Sequence, residues 1–116
     1  MKRLNKSNQI LLALIQELMK NKKPFWRKVA NELSRPRRKK VEVNLSKIDT
    51  YGADDSTVLV PGKVLGTGSL SKKMTIAAFS FSESAKRMIG EAGCKAVSIE
   101  SLHKDNPEGR NVAILK

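Results

Sequence analysis

The chain holds few side chains that could make or break covalent bonds. His103 is its one histidine and Cys94 its one cysteine. A single imidazole cannot pair with another to hold a metal ion, and no local Cys–His spacing suggests an activated thiolate. His103 reads as a surface or packing residue and Cys94 as an inert thiol. Asp54 and Asp55 are adjacent, which turns their carboxylates apart in most backbones, so they read as solvated loop charges. The glycines of Gly62-Lys63-Val64-Leu65-Gly66-Thr67-Gly68 come nearest to a nucleotide motif. A phosphate loop would need Gly-Lys-Ser/Thr after four intervening residues, but Thr67 and Gly68 follow the second glycine here. A dinucleotide fingerprint would need a third glycine where Ser71 stands, and a long helix that Lys72-Lys73-Met74 does not start. No catalytic site, metal, cofactor or small-molecule substrate is therefore expected. The glycines are expected to permit tight turns, or close approach to a sugar-phosphate backbone.

Cations are what the chain has in excess. It carries 23 Lys and Arg against 11 Asp and Glu, a net charge of +12. Residues 1–40 hold 13 of the cations against Glu17 and Glu32 alone, a net of +11, whereas residues 41–116 come to +1. So dense a run of one sign repels itself, and a polyanionic partner is the economical explanation. Within Ser34-Arg35-Pro36-Arg37-Arg38-Lys39-Lys40, Pro36 removes a backbone donor and biases Arg35 toward extended geometry. The five cations Arg35, Arg37, Arg38, Lys39 and Lys40 would then alternate in direction and reach two phosphate strands or two walls of one groove. Lys22, Lys23, Arg27 and Lys28 merge with this run. Trp26 could stack on a base, worth roughly 1–3 kcal/mol, but it lies on an apolar stripe, which favours core packing. No recognition helix, zinc finger or aromatic RNA-recognition strand is visible. The chemistry implied is backbone and shape recognition: guanidinium forks on phosphates, with counterions released.

The elements that would position these residues follow from periodicity and punctuation. Ser7 suits an N-cap, and Ile10, Leu11, Leu14, Ile15, Leu18 and Met19 recur at helical spacing, predicting a helix over 7–20. Pro24 suits the first turn of a second helix, whose stripe is Trp26, Val29, Ala30 and Leu33. Val41, Val43 and Leu45 alternate with polar residues as a half-buried strand, and residues 49–55 read as polar connection. Thr57-Val58-Leu59-Val60 reads as a short strand closed by Pro61-Gly62, and residues 74–79 as another. Ser80-Phe81-Ser82-Glu83 fits a capping box for a helix over 81–92, with Ala85, Met88, Ile89 and Ala92 inward and Gly93 as its stop. A strand is predicted over 96–99, a turn at Asn106-Pro107-Glu108-Gly109, and a last strand over 112–115. The expectation is one α+β domain. A basic helical and extended region, 1–40, binds RNA and precedes a mixed globular core, 41–116. Met1-Lys2-Arg3 and the apolar run from Ile10 faintly suggest a secretory signal, but Gln16, Glu17 and Lys20 interrupt it. The run is also shorter than the roughly 20 residues that span a bilayer. A cytoplasmic protein is expected, without membrane contact.

These segments resemble a known family. Trp26-Arg27-Lys28-Val29-Ala30 with Leu33, Arg35-Pro36-Arg37-Arg38 and Val43-Asn44-Leu45-Ser46-Lys47-Ile48 look like the front of the archaeal and eukaryotic large-subunit ribosomal protein family eighteen-e. Val60 to Gly68, the Ala77-Ala78-Phe79-Ser80 passage into a helix, and Asn106-Pro107-Glu108-Gly109 extend the likeness over nearly the whole chain. Bacterial ribosomal protein fifteen is more distantly similar. The chain ends at Lys116 without the longer basic tail of eukaryotic members, which implies an archaeal one. The resemblance implies irregular strand–strand–helix units and a structural role in the large subunit, bound to ribosomal RNA and neighbouring proteins. It assigns Trp26, Arg27, Arg35, Pro36, Arg37, Arg38, Asn44, Lys63 and Gly66 to contacting or shaping RNA. Lys2, Arg3, Lys72 and Lys73 complete the expected RNA-binding set. The competing expectation is a free-standing basic nucleic-acid binder of the chromatin or RNA-chaperone kind.

Overall fold

The computed structural model describes residues 6–34 and 41–116. Two helices come first, α1 (Lys6–Met19) and α2 (Pro24–Leu33). Then follow β1 (Glu42–Asn44), α3 (Leu45–Tyr51), β2 (Thr57–Leu65), β3 (Thr75–Phe81), α4 (Glu83–Glu91), β4 (Lys95–Ser98), α5 (Ile99–Asp105) and β5 (Val112–Ile114). The mixed α+β domain expected from the sequence is present, and its strand–strand–helix order appears as β2–β3–α4.

Every strand pairing is parallel. β4 pairs with β3 and β3 with β2. Along the other edge of β2, β5 lies beside Thr57–Leu59 and β1 beside Lys63–Leu65. Such a sheet must be covered on both faces, and alternation along its central strands divides the apolar residues between two cores. Val58, Val60, Val64, Ile76 and Ala78 meet Leu45 and Ile48 of α3 and Ala85 and Ile89 of α4. Leu59 and Ala77 meet Leu14, Leu18, Trp26, Val29, Ala30 and Leu33 of α1 and α2, with Ile99 and Leu102 of α5. The basic front of the chain therefore supplies much of one core.

The structure departs from the sequence reading at several places. Ser7 lies within α1 instead of capping it. Pro61-Gly62 does not close a strand: β2 continues to Leu65, with its register against β3 shifting between Val60 and Lys63. The Lys63 amide donates to the Val41 carbonyl at 3.0 Å there, so pairing resumes beyond the proline. Helices α3 and α5 occupy stretches read as connection and strand end. Each buries one i, i+3 pair, Leu45 with Ile48 and Ile99 with Leu102. The cap of α4 is Ser82, whose hydroxyl accepts from the Ala85 amide at 3.1 Å, while Ser80 belongs to β3. Gly93, at φ +75°, follows α4 as expected. The Asn106–Gly109 turn closes with the Gly109 amide on the Asn106 carbonyl at 3.0 Å.

Parallel neighbours usually need a helical crossover, yet β2 returns to β3 through residues 66–74, which carry none. This segment instead runs along α3. At one end the Ser46 amide donates to the Thr67 carbonyl at 3.1 Å. Gly68, at φ +97°, lies so close that a Cβ would stand 2.6 Å from that of Ser46. Midway, Ser71 donates its amide and hydroxyl to the Asp49 carboxylate at 2.9–3.0 Å. These bonds, the Ser71 amide first, hold the Asp49 carboxyl below the usual carboxylate range. At the far end Lys72 Nζ donates to the carbonyls of Asp49 and Gly52 at 2.7 and 2.9 Å, matching a cation to the negative end of α3. No described helix is long and apolar enough to cross a membrane.

Candidate nucleic-acid interface

Lys2, Arg3, Arg35, Pro36, Arg37, Arg38, Lys39 and Lys40 lie outside the described residues, but the points flanking the main run are fixed. Ser34 ends α2, its amide and hydroxyl both donating to the Ala30 carbonyl, at 3.0 and 2.8 Å. Val41 accepts from Lys63 at the entrance to β1. Val41, the first described residue after the run, thus stands at the edge where β1 meets β2.

Pro24 starts α2, and the apolar stripe Trp26, Val29, Ala30 and Leu33 turns inward. The off-stripe residues Arg27 and Lys28 therefore point outward, and both are exposed, as are Lys22 and Lys23 just before the helix. Lys23 reaches Glu108 at 3.1 Å; with both side chains about half exposed, that pair is weakly held. Glu32, the one acid in α2, is buried and takes Lys116 Nζ at 2.6 Å. Its charge faces the interior, and the outer face of the helix keeps its positive sign.

Trp26 is not available to stack on a base. It is fully buried, its Nε1 donates to the Asn106 carbonyl at 3.0 Å, and its rings pack edge-on against Phe25 and His103. Its apolar stripe drives it into the core, the outcome the stripe favoured over base stacking. Burial also lowers the pKa of His103, opposed by nearby Glu17, and its Nε2 lies 2.9 Å from the Asn21 amide nitrogen. His103 is a packed residue.

Asn44, Lys63 and Gly66 come together where β1 and β2 run side by side. Asn44 pairs in register with Leu65, next to Gly66, and Lys63 stands between Glu42 on β1 and Ser80 on β3. Asn44 is exposed and precedes α3 without a side-chain capping bond. Gly66 is a packing requirement: a Cβ there would collide with Ser84 Oγ and stand 2.7 Å from the Ala85 nitrogen. The first turn of α4 can therefore close over the end of β2, bringing a helix N-terminus to this edge, the end that favours anions.

Lys72 and Lys73 are at the other end of the sheet, before β3. The ammonium of Lys72 caps α3 as described, so it has a structural duty within the fold. Lys73 is exposed, and its amide donates to Asp54 Oδ1 at 2.9 Å. Lys86 and Arg87 were not singled out by the sequence, yet both stand exposed on α4 near the Asn44–Gly66 edge. Their positions off the Ala85–Ile89 stripe were the available signal. Among the described residues, no cluster of three His, Cys, Asp or Glu could hold a metal ion.

Exposed cations thus line α2 and the residues before it, and known proteins are similar to this chain along its length. The family described as ribosomal protein 60S L18 and 50S L18e matches residues 1–116. The large ribosomal subunit protein eL18 of Methanococcus maripaludis is 48% identical over 110 residues, covering 95% of this chain and 92% of its own. That of Archaeoglobus fulgidus is 47% identical over 116 residues, covering 97% and 99%. The Thermoplasma acidophilum protein of the same name is 40% identical, covering 95% and 98%. With its whole length matched and relatives this similar, the chain belongs to the L18 and L18e family of ribosomal proteins.

Proposed function

We propose that the protein is a structural, non-catalytic constituent of the large ribosomal subunit that binds ribosomal RNA through phosphate-backbone and shape contacts. The observation that carries this reading is the family match along the entire chain. The charge distribution supports it, because residues 1–40 concentrate a net of +11. The exposure of Lys22, Lys23, Arg27 and Lys28 in and just before α2 supports it further. Arg35, Arg37 and Arg38 fork onto phosphate oxygens, and Pro36 limits the entropy lost on ordering the segment. Lys22, Lys23, Arg27, Lys28, Lys39 and Lys40 add longer-range attraction, while Asn44, Lys63 and Gly66 shape a second contact at the β1–β2 edge. Neighbouring ribosomal proteins complete the environment, in the cytoplasm.

The test is sedimentation of the protein from lysate at low and then high salt. Comigration with large subunits that persists through moderate salt is the expected result. A protein that stays at the top of the gradient, or leaves RNA at mild salt, would instead be a free nucleic-acid binder. Replacing Arg35, Arg37 and Arg38 together by Ala should flatten the slope of log affinity against log salt by roughly 2–3. An unchanged slope would remove the run from the interface.

A further inference from the structure

Among the described residues, three of the four large apolar side chains left exposed, Ile10, Leu12 and Met19, lie on α1. From Gln9 to Met19 this helix has no Lys or Arg, and its one charge is Glu17. In a chain of net +12 this is a surface poorly suited to phosphate. Ile10, Leu14 and Glu17 also form one wall of a cleft of about 580 Å³, opposite Ile99 and Glu100 of α5, with Phe79 of β3 among its lining. That volume is in the range that accepts a ligand or a few side chains. Glu17 pairs with Lys20 at 3.7 Å and Glu100 with Lys104 at 3.4 Å, and all four side chains are more than half exposed. Exposed pairs of this kind contribute little, so an incoming cation can exchange into them at small cost.

We propose that this cleft receives an amphipathic, cationic segment of a neighbouring protein, its aliphatic side chains on Phe79 and Ile99 and its Lys or Arg between Glu17 and Glu100. The inference rests on the ribosomal reading above and assigns α1 and α5 to protein contact while α2 and residues 35–40 serve RNA. An apolar lining supplies the dispersion and area burial of helix-in-groove recognition. Lys104 also lines the cleft beside Glu100, so the rim offers no excess of cations to a phosphate chain. Its two exchangeable carboxylates suit a basic protein segment, which sets the class of partner.

The experiment places a photo-crosslinking benzoylphenylalanine at position 10 of the full chain, assembled in cells into large subunits that are purified by sedimentation and irradiated. Peptide mapping should find one segment of another subunit protein that carries apolar residues and Lys or Arg. Glu17→Lys with Glu100→Lys should lower that crosslink about tenfold, the factor corresponding to 1.4 kcal/mol, without loss of the protein from the subunit. A crosslink only to RNA, to a second copy or to residues 1–5 of the same chain overturns the inference, as does no crosslink or a yield indifferent to charge reversal. Each of those results leaves the ribosomal reading intact, whereas a parent protein that never sediments with large subunits overturns both.

Discussion

Replacing Trp26 by Phe separates packing from RNA stacking. Trp26 is fully buried, so truncation to Ala would cost about 3–5 kcal/mol through lost transfer and the cavity left behind. Phe keeps one ring in the pocket and gives up the rest of the indole and the hydrogen bond to Asn106. The Asn106 carbonyl keeps the Gly109 amide at 3.0 Å, so no buried acceptor is orphaned and the cost falls to about 1–3 kcal/mol. In a chain of this length that lowers the melting temperature by roughly 5–10 °C. Calorimetry should show the drop, while RNA affinity and its salt slope, measured well below both transitions, stay at the parent values. Trp26 is the only tryptophan, so its emission in the parent protein reports on this pocket alone and should barely change when RNA saturates it. An unchanged melting temperature with a loss of affinity of the size of one base stack, about 1–3 kcal/mol, would refute the reasoning.

Ser82→Ala should lower the stability read from urea unfolding by about 1 kcal/mol, and Ser80→Ala by a few tenths at most; the reverse order would move the cap of α4. Lys116→Ala should cost about 1 kcal/mol, because it removes a charge-assisted bond to buried Glu32 but the lysine itself is 42% exposed. Lys20→Ala, from an exposed pair, should cost less than half of that in the same assay. His103 carries a pH dependence whose sign follows from its lowered pKa. The unfolded chain binds the proton first, near its ordinary 6.5, so the His103 contribution is full above that pH and is lost as pH falls toward the folded value. Urea midpoints between pH 7.5 and 5 should fall in the parent and flatten in His103→Gln; equal slopes would mean that His103 is solvated.

How much was legible depended on how many turns or strand residues an element spans. α1 and α2 repeat their apolar positions over several turns, so periodicity found both, and Pro24 marked the start of the second. α3 and α5 have seven residues each and offer a single i, i+3 pair. In α3 that pair was masked because Leu45 also completes the alternation of Val41 and Val43. Pro61-Gly62 looked like a strand end because a proline breaks a ladder, but a β-bulge absorbs it. At the interface, the cationic run was legible from composition alone. The stripe also pointed Trp26 into the core, but neither its hydrogen bond to Asn106 nor the capping duty of Lys72 was legible, since each is set by a partner distant in sequence.

The parallel sheet also sets how fast the molecule can form. Among the described residues no two neighbouring strands are joined by a hairpin, and β5 reaches β2 by pairing Val112 with Thr57 across nearly half the sequence. Each pairing must close a long loop before any ladder energy is returned, so folding is expected in milliseconds to seconds, not microseconds. During that interval the front of the chain already carries its full charge while the strands that anchor it are still unpaired. An RNA partner present during that interval would meet the charged front before β5 has closed on the edge of β2.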